Sequence, residues 1–289
     1  MRSALLLLTF STVLALPLRG VEGLTNPFFA FDNGTGRDQK VPLEQQADLV
    51  KRTGYAGIGY SGARNVPEML NALESRGLKL FSIYVASHVD AENPDFDPDL
   101  PEAIKQLKNH GTVIWLTVQG SSPEGDARAT KILRDVADLA AASNLRVVLY
   151  PHLGFYVGSI QDALRIRKLA DRPNVGVTFN LAHFLAAKDE SNLDLRLREA
   201  LPYLEMVSIN GADHEGDWSR LIQPLDRGEF DVYGLLRKLR TLGYNGPIGL
   251  QCYQVPGDIE ENLKRSMAAW RDFSKRLAAE GATAPPTGR

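Results

Sequence analysis

Arg146-Val-Val-Leu-Tyr-Pro-His152 is a short apolar run that ends in polar residues, and three later stretches are built the same way. The run 175–183 closes with Asn180 and His183, 205–213 with Asn210 and Asp213, and 247–253 with Gln251. Continuous β-branched runs bounded by turn residues read as strands buried on both faces, and so as members of a parallel sheet. Where such a sheet closes into a barrel, its C-terminal strand ends converge on one rim, which is where barrel enzymes keep their chemistry. The polar residues ending these runs are therefore the candidate site.

Working outward, the same signal recurs along the chain. Strands are expected over 27–32, 55–60, 78–85, 113–118, 146–149, 175–179, 206–209 and 248–252. Helices are expected between and after them, over 42–52, 66–76, 99–110, 126–143, 159–170, 193–201, 232–242 and 259–277. Ser159 supplies an N-cap, and Asp162 completes a capping box in weakened form. Eight strand signals alternating with eight helix signals predict an α/β chain folded as a single (β/α)8 TIM barrel over 24–278, not an open doubly wound sheet. The first strand-to-helix loop has no G-x-G-x-x-G, and the chain carries no P-loop, no G-x-S-x-G elbow and no C-x-x-C.

The 289 residues are 44% hydrophobic and 24% charged, ordinary globular usage and long enough for one barrel. A net charge of -2 gives no footprint for nucleic acid and suits a small, neutral substrate. Cys252 is the single cysteine; within an apolar run it reads as an inert core thiol with no disulfide partner. At the N-terminus, Met1 and Arg2 precede an apolar stretch over 4–16 and small residues at Gly20 and Gly23. That three-part pattern predicts a secretory signal peptide over 1–23, hence an exported protein that leaves the membrane after cleavage. The last residues, 279–289, are rich in Pro, Gly and Thr and are expected to form a disordered tail.

Gathered on one face, the strand-end residues are Asp32, Tyr60, His88, Gln119, Tyr150, His152, Asn180, His183, Asn210, Asp213, His214 and Gln251. Four of the five histidines are among them, and histidine is the side chain that titrates near neutrality and serves as acid, base or ligand. Trp115, Phe155 and Trp218 are placed to cover an apolar ligand face, although core packing is the simpler role for Trp115. No Arg or Lys pair at the rim offers a phosphate clamp.

From Asn26 to Phe273 the chain resembles the xylose-isomerase-like barrels, the sugar phosphate isomerase/epimerase and endonuclease IV group. Asn180-Leu-Ala-His183 is similar to that family's Asp-x-x-His after strand six. Leu225-Asp-Arg-Gly-Glu-Phe-Asp231, followed by Gly243-Tyr-Asn-Gly246-Pro-Ile-Gly-Leu-Gln251, resembles its Gly-rich loop and eighth strand. The resemblance implies a sugar-directed enzyme in which Glu, Asp, His and Glu at the ends of strands five to eight hold Mn²⁺ or Mg²⁺. At those positions this chain has Tyr150, Asn180, Ser208 (with Asn210 the nearest polar alternative) and Gln251. Four neutral side chains are a poor shell for a hard divalent cation, so no metal ligands and no cofactor are expected unless the site is rebuilt. His183 alone carries over, as a residue that contacts a substrate oxygen, and His214 lies near a place where an arginine contacts the sugar.

The expectation is thus an exported carbohydrate-active isomerase, epimerase or lyase that takes a proton from beside a carbonyl of a sugar or keto-sugar. His152 and His183 are its acid–base residues, and Asp32, Tyr60, His88, Gln119, Tyr150, Asn180, Asn210, His214 and Gln251 hold the substrate. The alternative is a barrel of the same descent that binds a sugar or a protein without turnover. A metallo-endonuclease is disfavoured by charge and donor set alike.

Overall fold

The computed structural model describes residues 23–283. The expected leader therefore lies outside the described residues except for Gly23, as does the last part of the expected tail. Eight parallel strands close into one barrel: β1 (Phe28–Phe31), β2 (Gly57–Ser61), β3 (Lys79–His88), β4 (Val113–Gln119), β5 (Arg146–Leu149), β6 (Val175–Asn180), β7 (Leu204–Ile209) and β8 (Ile248–Leu250). β1 pairs with both β2 and β8, which leaves no edge strand. The helices are α1 (Leu43–Thr53), α2 (Val66–Glu74), α3 (Leu100–Gln106), α4 (Gly125–Ala142), α5 (Ile160–Ala170), α6 (Leu181–Ala186), α7 (Leu193–Ala200), α8 (Trp218–Leu221), α9 (Val232–Thr241) and α10 (Ile259–Thr283).

Two of these, α6 and α8, had no counterpart in the sequence reading. Each is one or two turns long and follows a strand on the rim side, so its apolar residues merge with the strand's own run. Local capping explains both. The Asn180 side chain accepts the His183 amide at 3.3 Å, and Asp217 Oδ1 accepts the amides of Ser219 and Arg220. The last helix also corrects the reading of the tail. It continues to Thr283 because Ala278, Ala279 and Glu280 are strong helix formers, whereas residues 284–289 lie outside the described residues. Among the described residues no helix is long and apolar enough to cross a membrane.

The core has two nested parts. The larger lies between strands and helices; the smaller fills the barrel itself with Phe29, Phe31, Phe81, Trp115, Val148, Tyr150 and Met206. Aromatic rings take the place of the usual branched aliphatics, and two glycines make the room. A Cβ on Gly249 would sit 2.5 Å from the Phe29 ring and 2.6 Å from that of Phe31, and one on Gly59 would sit 2.9 Å from Phe29. The stacked Phe29 and Phe81 rings (4.7 Å apart) and the Trp115 indole raise a solid apolar floor beneath the rim.

Candidate active site at the C-terminal rim

Above that floor opens a cavity of about 290 Å³. Phe31, Trp115 and Tyr150 bound it below. His152, His183, Trp218 and Ile222 line the side fed by β5 to β7, and Asn33, Arg37, Ser61, Tyr84, Gln251 and Tyr253 complete the wall. Four of the expected site residues therefore meet here: Tyr150, His152, His183 and Gln251. Asn180 sits at their edge, fully enclosed, and contributes to a smaller pocket behind His183.

The histidines form a close pair. Their ring centroids are 3.8 Å apart, tilted by 41°; Phe155 stacks on the other face of His152 at 3.9 Å, and Trp218 meets His183 edge-on at 5.1 Å. One backbone residue sets both tautomers. The Leu153 amide donates to His183 Nδ1 at 3.3 Å, so that nitrogen carries a lone pair and the ring hydrogen sits on Nε2. The Leu153 carbonyl can only accept, so His152 Nδ1, 3.0 Å from it, carries the hydrogen, and His152 Nε2 holds the free lone pair. The pair thus offers one acceptor and one donor. Burial lowers both imidazoles below their usual range, that of His183 to about 3 with help from the neighbouring His152 charge. Both rings are neutral at physiological pH.

The hydroxyls around them are neutral too. Burial pushes the Tyr84 phenol up to about 12 and that of Tyr150 well above its ordinary value, the latter also through its neighbour Tyr84. The Tyr150 hydroxyl is near enough to Ser208, Gln251 and Asn180 for each to favour its ionised form slightly. The contacts are loose, however, for Ser208 Oγ and Asn180 Nδ2 are buried with no hydrogen-bond partner. These are the four strand-end positions at which the resemblance drawn from the sequence implies metal ligands. Here they contribute a phenol, an alcohol and two amides, and the buried Asn180 Nδ2 is a donor without a partner. This set does not fit a divalent ion. Among the described residues, no group of three or more His, Cys, Asp or Glu side chains could hold a metal ion.

Asp32 acts from behind the wall. It is 1% exposed, and its carboxylate accepts the Ser61 amide at 2.6 Å, the Ser61 hydroxyl at 2.8 Å and Arg37 Nη1 at 3.1 Å. Burial raises its pKa, opposed by Arg37 and Ser61. The effect is to fix a guanidinium and a hydroxyl on the cavity wall with nearly balanced charge. Asn33 is fixed likewise, donating to Gln251 Oε1 at 2.6 Å.

Five expected residues do not reach the cavity. Tyr60 joins the outer core, because strand side chains alternate and β2 turns Gly59 and Ser61 inward instead. Asn210 is wholly buried and donates to the carbonyls of Gly211 and Leu221, so it ties down the loop after β7. His214 is half exposed and bound to Glu190 at 2.8 Å, which raises its pKa. His88 stands at the end of β3, 3.9 Å from Asp90, and Gln119 donates to Thr117 at the end of β4. β3 and β4 run past the floor, so their last residues lie beyond the cavity. Asn33, Arg37, Ser61, Tyr84 and Tyr253 escaped the sequence reading. Ser61 follows from alternation along β2; Tyr84 does not follow from alternation with Phe81, because an irregularity in the β2–β3 pairing puts both inside the barrel, and Arg37 reaches back from a loop five residues beyond Asp32.

The family model described as xylose isomerase-like TIM barrel matches residues 47–273. No curated protein is similar enough in sequence to match. Among solved structures, the 3-keto-D-glucoside 4-epimerase of E. coli is 18% identical with a TM-score of 0.67, covering 85% of this chain and 98% of its own. An L-ribulose 3-epimerase is 15% identical (TM-score 0.70, 91% and 100% covered). The D-psicose 3-epimerase of Clostridium cellulolyticum H10, solved with D-tagatose, is 16% identical (TM-score 0.65, 87% and 99% covered). At such identities the likeness establishes the shared fold.

Proposed function

Because the chain belongs to the xylose isomerase-like TIM-barrel family, we propose that it is a sugar isomerase- or epimerase-like enzyme whose proton transfers are run by His152 and His183. The observation that carries this reading is the histidine pair itself: two neutral imidazoles in contact, one with a free lone pair and the other with a free N–H, on the wall of a cavity whose lining cation, Arg37, is paired with Asp32. With a ketone in the cavity, His152 Nε2 takes a proton from the carbon beside the carbonyl. The C–H electron pair moves to the oxygen, and His183 Nε2–H hydrogen-bonds to the charge that develops there. Return of the His152 proton to the neighbouring carbon, with the adjacent hydroxyl proton passed to the first oxygen through His183, completes an isomerisation; for an epimerisation a water on the opposite face delivers the proton and His152 releases its own to solvent. Neutral Tyr84 and Tyr150, with Gln251 and Asn33, offer the donors and acceptors that vicinal hydroxyls require.

A substrate that is already a keto-sugar makes the adjacent C–H acidic enough for an imidazole, so this scheme asks nothing of the four strand-end positions beyond hydrogen bonding. The leader over 1–23 favours export, and with it free sugars or glycan fragments over sugar phosphates. Arg37, committed to Asp32, Ser61 and Asp38, is a single cation and makes no phosphate clamp. The test is NMR of a panel of 3-keto- and 2-keto-sugars incubated with the protein in D₂O. The reading requires deuterium at the carbon next to the carbonyl, with a rate at least about 10²-fold lower in His152→Ala. Saturable sugar binding with no exchange in any member of the panel would make the protein a binding barrel instead.

A further inference from the structure

The inner cavity holds about 290 Å³, at the lower end for small-molecule sites and sufficient for one sugar ring. It does not end at its own mouth. A second, larger cavity of about 510 Å³ shares Asn33, Arg37 and Tyr253 with it and continues outward between the loops that follow β1 and β8. The three shared side chains are a common sill, and the sill is built rather than incidental. Asn33 donates to Gln251 and accepts from the Cys252 amide at 3.3 Å, and Arg37 is clamped by Asp32, Ser61 and Asp38.

Tyr253 is the unusual member. It is 39% exposed, a large ring left open on the rim, and its hydroxyl accepts the Gln254 side-chain amide at 3.1 Å. Gln254 itself holds a left-handed backbone conformation (φ +53°). Its side-chain amide steadies an aromatic face at the junction of the two cavities. Beyond it the outer walls carry Gln39, the Asp38 carboxylate and Asn262, whose Nδ2 donates to the Pro256 carbonyl, all hydrogen-bonding groups of the kind that read hydroxyls. Aromatic face plus amide groups is the chemistry that recognises a pyranose.

We propose that the outer cavity is a second carbohydrate subsite, so that the protein takes a disaccharide or other glycoside with its keto ring inside and its second ring on Tyr253. This rests on the reading of the inner cavity as a sugar site. The test is calorimetric binding of 3-keto-D-glucose against 3-keto-cellobiose and 3-keto-trehalose. The wild-type protein is expected to prefer a disaccharide by at least about tenfold. That ratio should fall toward one in Tyr253→Ala and also in Asn262→Trp, which fills only the outer cavity. Equal affinity for one and two rings in the wild type, or a preference that survives both substitutions, would overturn the subsite. Failure of the catalytic reading looks different: the disaccharide would bind with the Tyr253-dependent preference, yet show no deuterium exchange.

Discussion

Leu153 contributes no side-chain chemistry, yet its amide and carbonyl decide which histidine accepts a proton and which donates one. The assignment has consequences that can be measured. Since burial lowers the His152 pKa below the usual 6.5, the acid limb of kcat/KM should have its midpoint below that value, so that more than half of the activity remains at pH 6.5. His183 bears on stability. Its folded pKa of about 3 is below the ordinary 6.5, so between those values the unfolded chain binds a proton that the folded chain refuses. Stability is therefore greatest above pH 6.5 and declines as pH falls through that window; His183→Gln should flatten this decline in chemical-denaturation measurements across roughly pH 4 to 7. An acid limb of unchanged slope would show that His183 is not held neutral by burial. At this scale the sequence was half legible. Strand-end position identified His152, His183, Tyr150 and Gln251, but Tyr60 was misplaced by one step of the strand alternation, and Arg37 could not be seen because a loop carries it back.

The elements explain why the strand-end reading worked and where it stopped. Short apolar runs bounded by turn residues announced all eight strands, and helix periodicity announced the long outer helices; α6 and α8 are too short to show a period of their own. They matter out of proportion to their length, since α6 carries His183 and α8 carries Trp218 into the cavity. The capping box before α5 closes in full, with Ser159 Oγ accepting the Asp162 amide at 3.1 Å and Asp162 accepting the Ser159 amide at 3.1 Å. The loop from His152 to Ser159 is anchored there. Ser159→Ala should cost about 1 kcal/mol in denaturant unfolding, and because that loop includes Leu153 and Phe155, it should lower activity more than a distant surface change does. Activity untouched by a loss of that size would separate the loop from the site.

For the molecule as a whole, the interior of the barrel determines the depth of the site. Phe29 is fully buried between strands that carry glycine to admit it, so Phe29→Ala should destabilise the protein by about 3–5 kcal/mol, read as a lowered denaturation midpoint. The floor that these rings build leaves a shallow cavity lined by hydrogen-bonding groups and one histidine pair. Tyr150, Asn180, Ser208 and Gln251 were legible in the sequence as neutral strand-end groups; the contact between His152 and His183 was not, since it arises where the loop after β5 meets the short helix α6 over the same rim. In the proposed mechanism this pair moves the proton without a metal. The decisive measurement is the rate of solvent-deuterium incorporation into a keto-sugar after exhaustive chelation, and again after Mn²⁺ is added back. Equal rates are expected in both conditions, with a loss of at least about 10²-fold in His152→Ala. Exchange that chelation abolishes and Mn²⁺ restores would contradict that mechanism.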